Sequence, residues 1–180
     1  MNADSSKAEV GFAMSYFAAQ TRRQELSDEQ KRVELRLRII ENNQKLAGAA
    51  KQAGVQRYPL FQDAGYRGLY GMGLGALKAH KGLNQSQDLL DHAGRLELAA
   101  NDFRITLTEH RLNRDKIKTE PEAILTHRSV GEEVRTSIVK DNGVKPENLP
   151  IEPSIKSLVQ KRRRQIASTR TVISAATAKD

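Results

Sequence analysis

Apolar residues recur at helical spacing along most of this chain. Val10, Met14, Phe17 and Thr21 step by four, three and four, which places them on one face of a helix from about Lys7 to Leu26. A second helix is expected from about Asp28 to Ala53, stopping at Gly54, a residue suited to a left-handed helix end. Inside it Val33, Leu35, Leu37 and Ile39 alternate as a strand would. Ile40 breaks the alternation, and Gln, Glu, Lys, Arg and Ala surround it, so the reading is helix. Further on, Leu96, Ala100, Phe103, Leu107 and His110 form one stripe with Ala99 beside it, and predict a helix continuing to about Asn113.

Start signals support these assignments. Ser6 with Glu9, Ser27 with Gln30, Thr119 with Glu122, and Ser129 with Glu132 each have the spacing of a capping box. Ser129 is read as opening a helix whose core face is Val130, Val134 and Ile138 and which ends at Asn142 and Gly143. Another helix is expected from about Gln85 to His92, ending before Gly94. Pro146, Pro150 and Pro153 make 144–153 extended. A last helix from about Ser154 carries Ile155, Leu158, Val159 and Ile166, with fraying beyond Ser168.

Between them, 55–83 reads as a turn-rich connector. It holds Pro59, Gly65, Gly68, Gly71, Gly73, Gly75 and Gly82 together with Tyr58, Phe61, Tyr66 and Tyr70, and room for two short helices, Leu60 to Ala64 and Gly75 to Lys81. The expectation is an all-α, multi-helix fold: a long N-terminal helical hairpin over 1–54, a helical core over 55–143 that includes the Gly/Tyr-rich connector, and 144–180 with a basic C-terminal helix.

Composition narrows the function. Hydrophobic residues make up 38% and charged residues 29%, so the core is thin and the helical faces are well solvated. Lys and Arg outnumber Asp and Glu by 30 to 22, a net charge of +8 that favours polyanionic partners, nucleic acid first. The absence of cysteine excludes disulfides, thiolate nucleophiles and Cys-based zinc sites. No apolar run is long enough to span a bilayer and the first residues are polar, so a cytoplasmic protein without membrane contact is expected.

Catalytic signals are weak. His80, His92, His110 and His127 show no metal-ligand spacing, and no cofactor or metal is expected. His110 is read as a packed core histidine. Asp88 and Asp91 with His92 could hold Mg²⁺ for phosphodiester cleavage, but two carboxylates near a helix start more often serve the helix dipole. The glycines of 65–75 lack the spacing and the preceding strand of a phosphate loop.

Binding signals are stronger. Tyr66 and Tyr70 lie among Arg57, Arg67, Lys78 and Lys81, as bases stacked on rings with phosphates on cations would require. The plainer reading is rings covering a small core. Arg22 and Arg23 end the first helix. Lys161, Arg162, Arg163 and Arg164 form a run on the last, with Lys156 nearby. Four consecutive cations wrap around a helix, so they cannot all face a core and are free to neutralise phosphates.

Several strings resemble the C-terminal part of the bacterial DNA damage-inducible protein D family. They are Tyr16-Phe17-Ala18-Ala19-Gln20-Thr21-Arg22-Arg23-Gln24-Glu25-Leu26, Gly65-Tyr66-Arg67-Gly68-Leu69-Tyr70-Gly71, and Glu97-Leu98-Ala99-Ala100-Asn101-Asp102-Phe103-Arg104. Thr126-His127 with Val130-Gly131, Val134 and Arg135 follows, then Pro146-Glu147 with Leu149-Pro150, then Ser154-Ile155-Lys156 with Leu158. The resemblance implies a protein of the SOS response that acts on RecA-coated single-stranded DNA and opposes strand exchange. It also implies an N-terminal domain like those of BRO and KilA-type antirepressors, which this sequence lacks. It supplies no catalytic residues. The leading expectation is therefore a non-catalytic module binding the RecA filament, with single-stranded DNA as a further partner. A helical scaffold that forms homo-oligomers is the alternative, and a metal-dependent nuclease the remote one.

Overall fold

Local capping and spacing set the first described helix. In this computed structural model, which describes residues 27–177 (side chains of 142 and 170–177 aside), Ser27 and Gln30 form the predicted box. Ser27 N–H donates to Gln30 Oε1 at 2.9 Å and Gln30 N–H to Ser27 Oγ at 3.2 Å. Helix α1 runs Asp28–Gln52 and is followed by Gly54 at φ +80°. The expected helix from Lys7 to Leu26, its Ser6 box, and Arg22 and Arg23 lie outside the described residues. The chain divides into two units, Met1–Lys31 and Arg32–Asp180. Of the first, only the start of α1 and its cap are described, and all that follows concerns the second.

Five more helices follow: α2 (Tyr58–Tyr70), α3 (Leu74–His80), α4 (Arg95–Arg114), α5 (Glu120–Asn142) and α6 (Lys156–Thr177). The fold is all-α, with no strand among the described residues beyond one isolated bridge between Ala93 and Ile151. On α1 the buried positions are 32, 33, 36, 39, 46, 49 and 50, a helical face that settles the strand-like alternation.

α4 lies between two apolar clusters. One joins Ile39, Leu46 and Ala50 of α1 to Phe61 of α2, Leu98, Ile105 and Leu112 of α4, and Ala123 of α5. The other joins Leu69, Leu77 and Leu89 to Ala100 and to Val130, Val134 and Ile138 of α5. A third, small cluster of Val33, Ile155 and Val159 holds the start of α6 to α1.

Four local expectations need correcting. The Gly/Tyr-rich connector is largely helix: Gly65 and Gly68 sit inside α2, where the absence of a side chain lets α5 cross at backbone contact. A Cβ on Gly131 would lie 2.7 Å from Leu69 N and 2.8 Å from Gly65 O. The helix from Gln85 to His92 shrinks to a single 3-10 turn, Leu89–Asp91, with Asp88 capping Leu90 N–H. Ser129 lies within α5, where its hydroxyl reaches Glu133, and the helix opens earlier, after Thr119, the other start signal in this region. Finally, α6 continues as helix past Ser168 to Thr177, and a turn at Pro146–Asn148 interrupts the extended segment before it.

The stripe predicted on α4 is real in spacing but only partly buried: Ala100 is in the second cluster with Leu107 packed against it, while the rest is exposed. Phe103 is 58% exposed, Leu96 46%, and His110 is exposed rather than packed. The buried positions of α4 are Glu97, Leu98, Ala100, Asn101, Asp102, Arg104, Ile105, Thr108 and Leu112.

Candidate nucleic-acid and partner interface

The inward face of α4 explains where two of the expected ligand-binding residues go. Tyr70 is fully buried; its hydroxyl donates to Glu97 Oε1 at 2.9 Å and accepts from Asn101 Nδ2 at 2.6 Å. Lys81, its side chain 3% exposed, donates to Glu97 Oε2 at 3.2 Å and to Leu149 O at 2.9 Å. Burial and the Glu97 charge push the Tyr70 phenol well up, and burial raises Glu97 against the pull of Lys81. Neither Tyr70 nor Lys81 is available to a base or a phosphate, which corrects the exposed setting expected for both.

The same network continues to a buried arginine. Arg104 is 1% exposed and has no carboxylate in its hydrogen bonds. It donates to Asn101 Oδ1 at 3.1 Å and to His127 Nε2, stands 5.1 Å above the Tyr66 ring, and leaves Nε without a partner. Because a guanidinium only donates, His127 Nε2 accepts, and the ring proton on Nδ1 goes to Phe61 O at 3.0 Å. Burial, then the Arg104 charge, hold His127 well below its ordinary value of 6.5, so the imidazole is neutral. Tyr66 is half-buried, stacked on Tyr70 at 6.0 Å, and covers this cation rather than presenting an open ring.

The other predicted cations on the connector, Arg57 and Arg67 exposed and Lys78 half-buried, are already engaged. Arg57 binds Glu120 at 2.6 Å, Arg67 binds Asp63 at 2.7 Å, and Lys78 donates to Gln85 O at 2.9 Å. Backbone N–H groups of Arg57 and Gln56 also reach Glu120 and hold its carboxyl below the usual range. The candidate metal carboxylates are engaged as well: Arg36 closes on Asp88 at 2.7 Å and on Asp91 at 2.9 Å. Among the described residues no group of His, Asp or Glu side chains is placed to hold a metal ion. No described helix is long and apolar enough to cross a membrane.

α6 differs from all of these. Lys156 and Lys161, Arg162, Arg163 and Arg164 are exposed. No acidic residue occurs between Glu152 and Asp180, so nothing on the helix itself offsets them. At 100° per residue, positions 161–164 cover most of the circumference.

The model of the DinD C-terminal domain family matches residues 26–158. The chain belongs to that family. DNA damage-inducible protein D of Escherichia coli (strain K12) is 43% identical over 171 residues, covering 87% of this chain and 62% of that protein. This DinD-family chain therefore spans less than two thirds of that relative's length. No solved structure matches it. The network from Lys81 through Glu97, Tyr70, Asn101 and Arg104 to His127 lies inside the residues matched to the DinD domain. The cation run at 161–164 lies just beyond them. Sequence reasoning missed that network because Glu97, Asn101 and Arg104, spaced by four and three, look like a solvated polar face.

Proposed function

We propose that this chain is a non-catalytic DNA-damage-response module that engages RecA-coated single-stranded DNA and opposes strand exchange. The observation that carries the reading is the exposed α6 cation run with no acidic neighbour on its helix. Such cations displace counterions from phosphates, giving binding that depends on salt and little on base sequence. The likeness to a DNA damage-inducible protein supplies the setting. Opposition to strand exchange needs only tighter binding to a distorted filament, to free RecA or to bare strand than to the active filament. The carboxylates offered for a nuclease already bind Arg36, which favours binding over bond cleavage.

Pull-down of RecA with and without single-stranded DNA, paired with a strand-exchange assay in Mg²⁺, tests this. RecA retained, and exchange slowed without DNA cleavage, is expected, and the comparison with and without DNA separates a filament reader from a binder of free RecA. No retention of RecA, or scission of the DNA, contradicts it. A second reading, a self-associating scaffold, is favoured by the open apolar groove of Leu96, Ala100, Phe103 and Leu107 against Val134 and Ile138. Light scattering over a concentration series distinguishes it, because a strict monomer excludes a scaffold.

A further inference from the structure

Among the described side chains α6 touches the rest of the fold through little apolar surface: Ile155, just before the helix, and Val159 are buried, and Ile166, two turns on from Val159, is 40% exposed. Between α1 and α6 runs a groove of about 920 Å³. Its floor is aliphatic, made of Leu37, Ile40, Ile166 and Ala167. Its walls carry Arg38, Lys45 and Arg163. On the α1 wall the charges are already balanced: Arg38 Nε donates to Asp102 Oδ2 at 2.6 Å, and Lys45 pairs with Glu41 at 3.2 Å. On the α6 wall Arg163 has no acidic residue on its own helix to meet it.

We propose that this groove docks an acidic amphipathic segment of a partner protein. Apolar side chains of the segment lie on the floor, and its carboxylates meet Arg163. Two observations choose this occupant. The surplus positive wall selects an acidic ligand by charge complementarity. The aliphatic floor selects a peptide over a single strand of nucleic acid, because unpaired bases are held on aromatic platforms and, among the described residues, no aromatic side chain lines the groove. An amphipathic helix laid in a groove presents apolar anchors at three- and four-residue spacing, which suits a floor built from two neighbouring helices. The inference goes beyond the filament reading and does not depend on it.

Fluorescence anisotropy of the full chain with three labelled probes tests the proposal. The probes are a helical Leu/Glu amphipathic peptide, a poly-Glu peptide of equal charge, and an oligo-dT. Ile166→Gln is informative because Ile166 is already half in solvent, and an unchanged melting midpoint confirms the fold. The amphipathic peptide is expected to bind about tenfold tighter than poly-Glu, and to lose about tenfold on either Ile166→Gln or Arg163→Gln. Poly-Glu binding should respond to Arg163→Gln alone. Equal binding of the two peptides, or indifference of the amphipathic one to Ile166→Gln, overturns the proposal. So does oligo-dT binding that falls equally with Ile166→Gln, which assigns the groove to a single strand. Self-association of the chain that Ile166→Gln abolishes assigns it to a second copy and overturns the proposal too. Failure of the RecA pull-down leaves all of these outcomes readable.

Discussion

Arg104 carries a full charge into a site where no carboxylate accepts it. Its donors are shared between Asn101 Oδ1 and His127 Nε2, and its flat face lies over Tyr66. Buried charges usually have an ionic partner, because desolvation costs more than neutral hydrogen bonds return. Here polarisable and dipolar groups take that part, and Gly65 makes room: a Cβ there would overlap both Arg104 Nη1 and His127 Nε2. A protonated His127 would place a second cation against the first. The folded chain therefore refuses a proton that the unfolded chain accepts near pH 6.5. Stability is complete above 6.5 and is lost as pH falls from there toward the depressed value, by up to about 1.4 kcal/mol per pH unit. His127→Gln keeps an acceptor for Arg104 and a donor for Phe61 O without titrating. Urea midpoints measured from about pH 7 to about pH 5 should fall more steeply for the wild-type chain than for this variant. Parallel curves would contradict the assignment. Glu97, raised by burial, acts with the opposite sign, but both proteins share it.

Among the elements, the α2–α5 crossing depends most on particular residues. Glycine inside a helix costs about 1 kcal/mol against alanine. Gly65, Gly68 and Gly131 offset that cost by letting the two backbones meet. Gly131→Ala should destabilise by about 2–3 kcal/mol, as overpacking does. Gly75, on the first turn of α3 with nothing within 4 Å of its missing Cβ, gives the control. Gly75→Ala should leave stability unchanged or raise it by up to about 1 kcal/mol. Equal denaturant midpoints for the two variants would refute the crossing as the reason for the glycines. These glycines also show what the sequence reveals and what it conceals. The Ser27 box and the Gly54 and Gly143 ends were legible because they are settled within a few residues. Gly65 and Gly68 read as turns because glycine marks a loop and a close helix crossing alike. The α4 stripe had the right period but is only half of the buried surface, since Glu97, Asn101 and Arg104 also turn inward to partners in Lys81, Tyr70 and His127. Arg36 reaches Asp88 and Asp91 across more than fifty residues of chain, which no local pattern announces.

For the whole molecule, the net charge of +8 is unevenly available. Arg32 is buried on carbonyls of Ala93 and Pro153; Arg36, Arg57, Arg67, Lys81, Arg111 and Arg135 close on carboxylates. Arg32, Arg36 and Lys81 are buried in these contacts, whereas Arg57 and Arg67 pair at the surface. Among the described residues the run Lys161 to Arg164 on α6 is the consecutive exposed cation cluster left to meet a polyanion. Tyr66 and Tyr70, which the sequence offered as stacking platforms, serve the interior. The account predicts a phosphate-gripping helix beside a fold stabilised by internal ion pairs. The direct test is the salt dependence of binding to RecA-coated single strands for the wild-type chain and for a variant with Arg162, Arg163 and Arg164 each changed to Glu. The wild-type affinity should fall steeply with salt, at about 0.7 in log–log slope for each phosphate neutralised. The variant should bind far more weakly, with a slope shallower by about 2. Equal affinity and equal slope for the two proteins would contradict it.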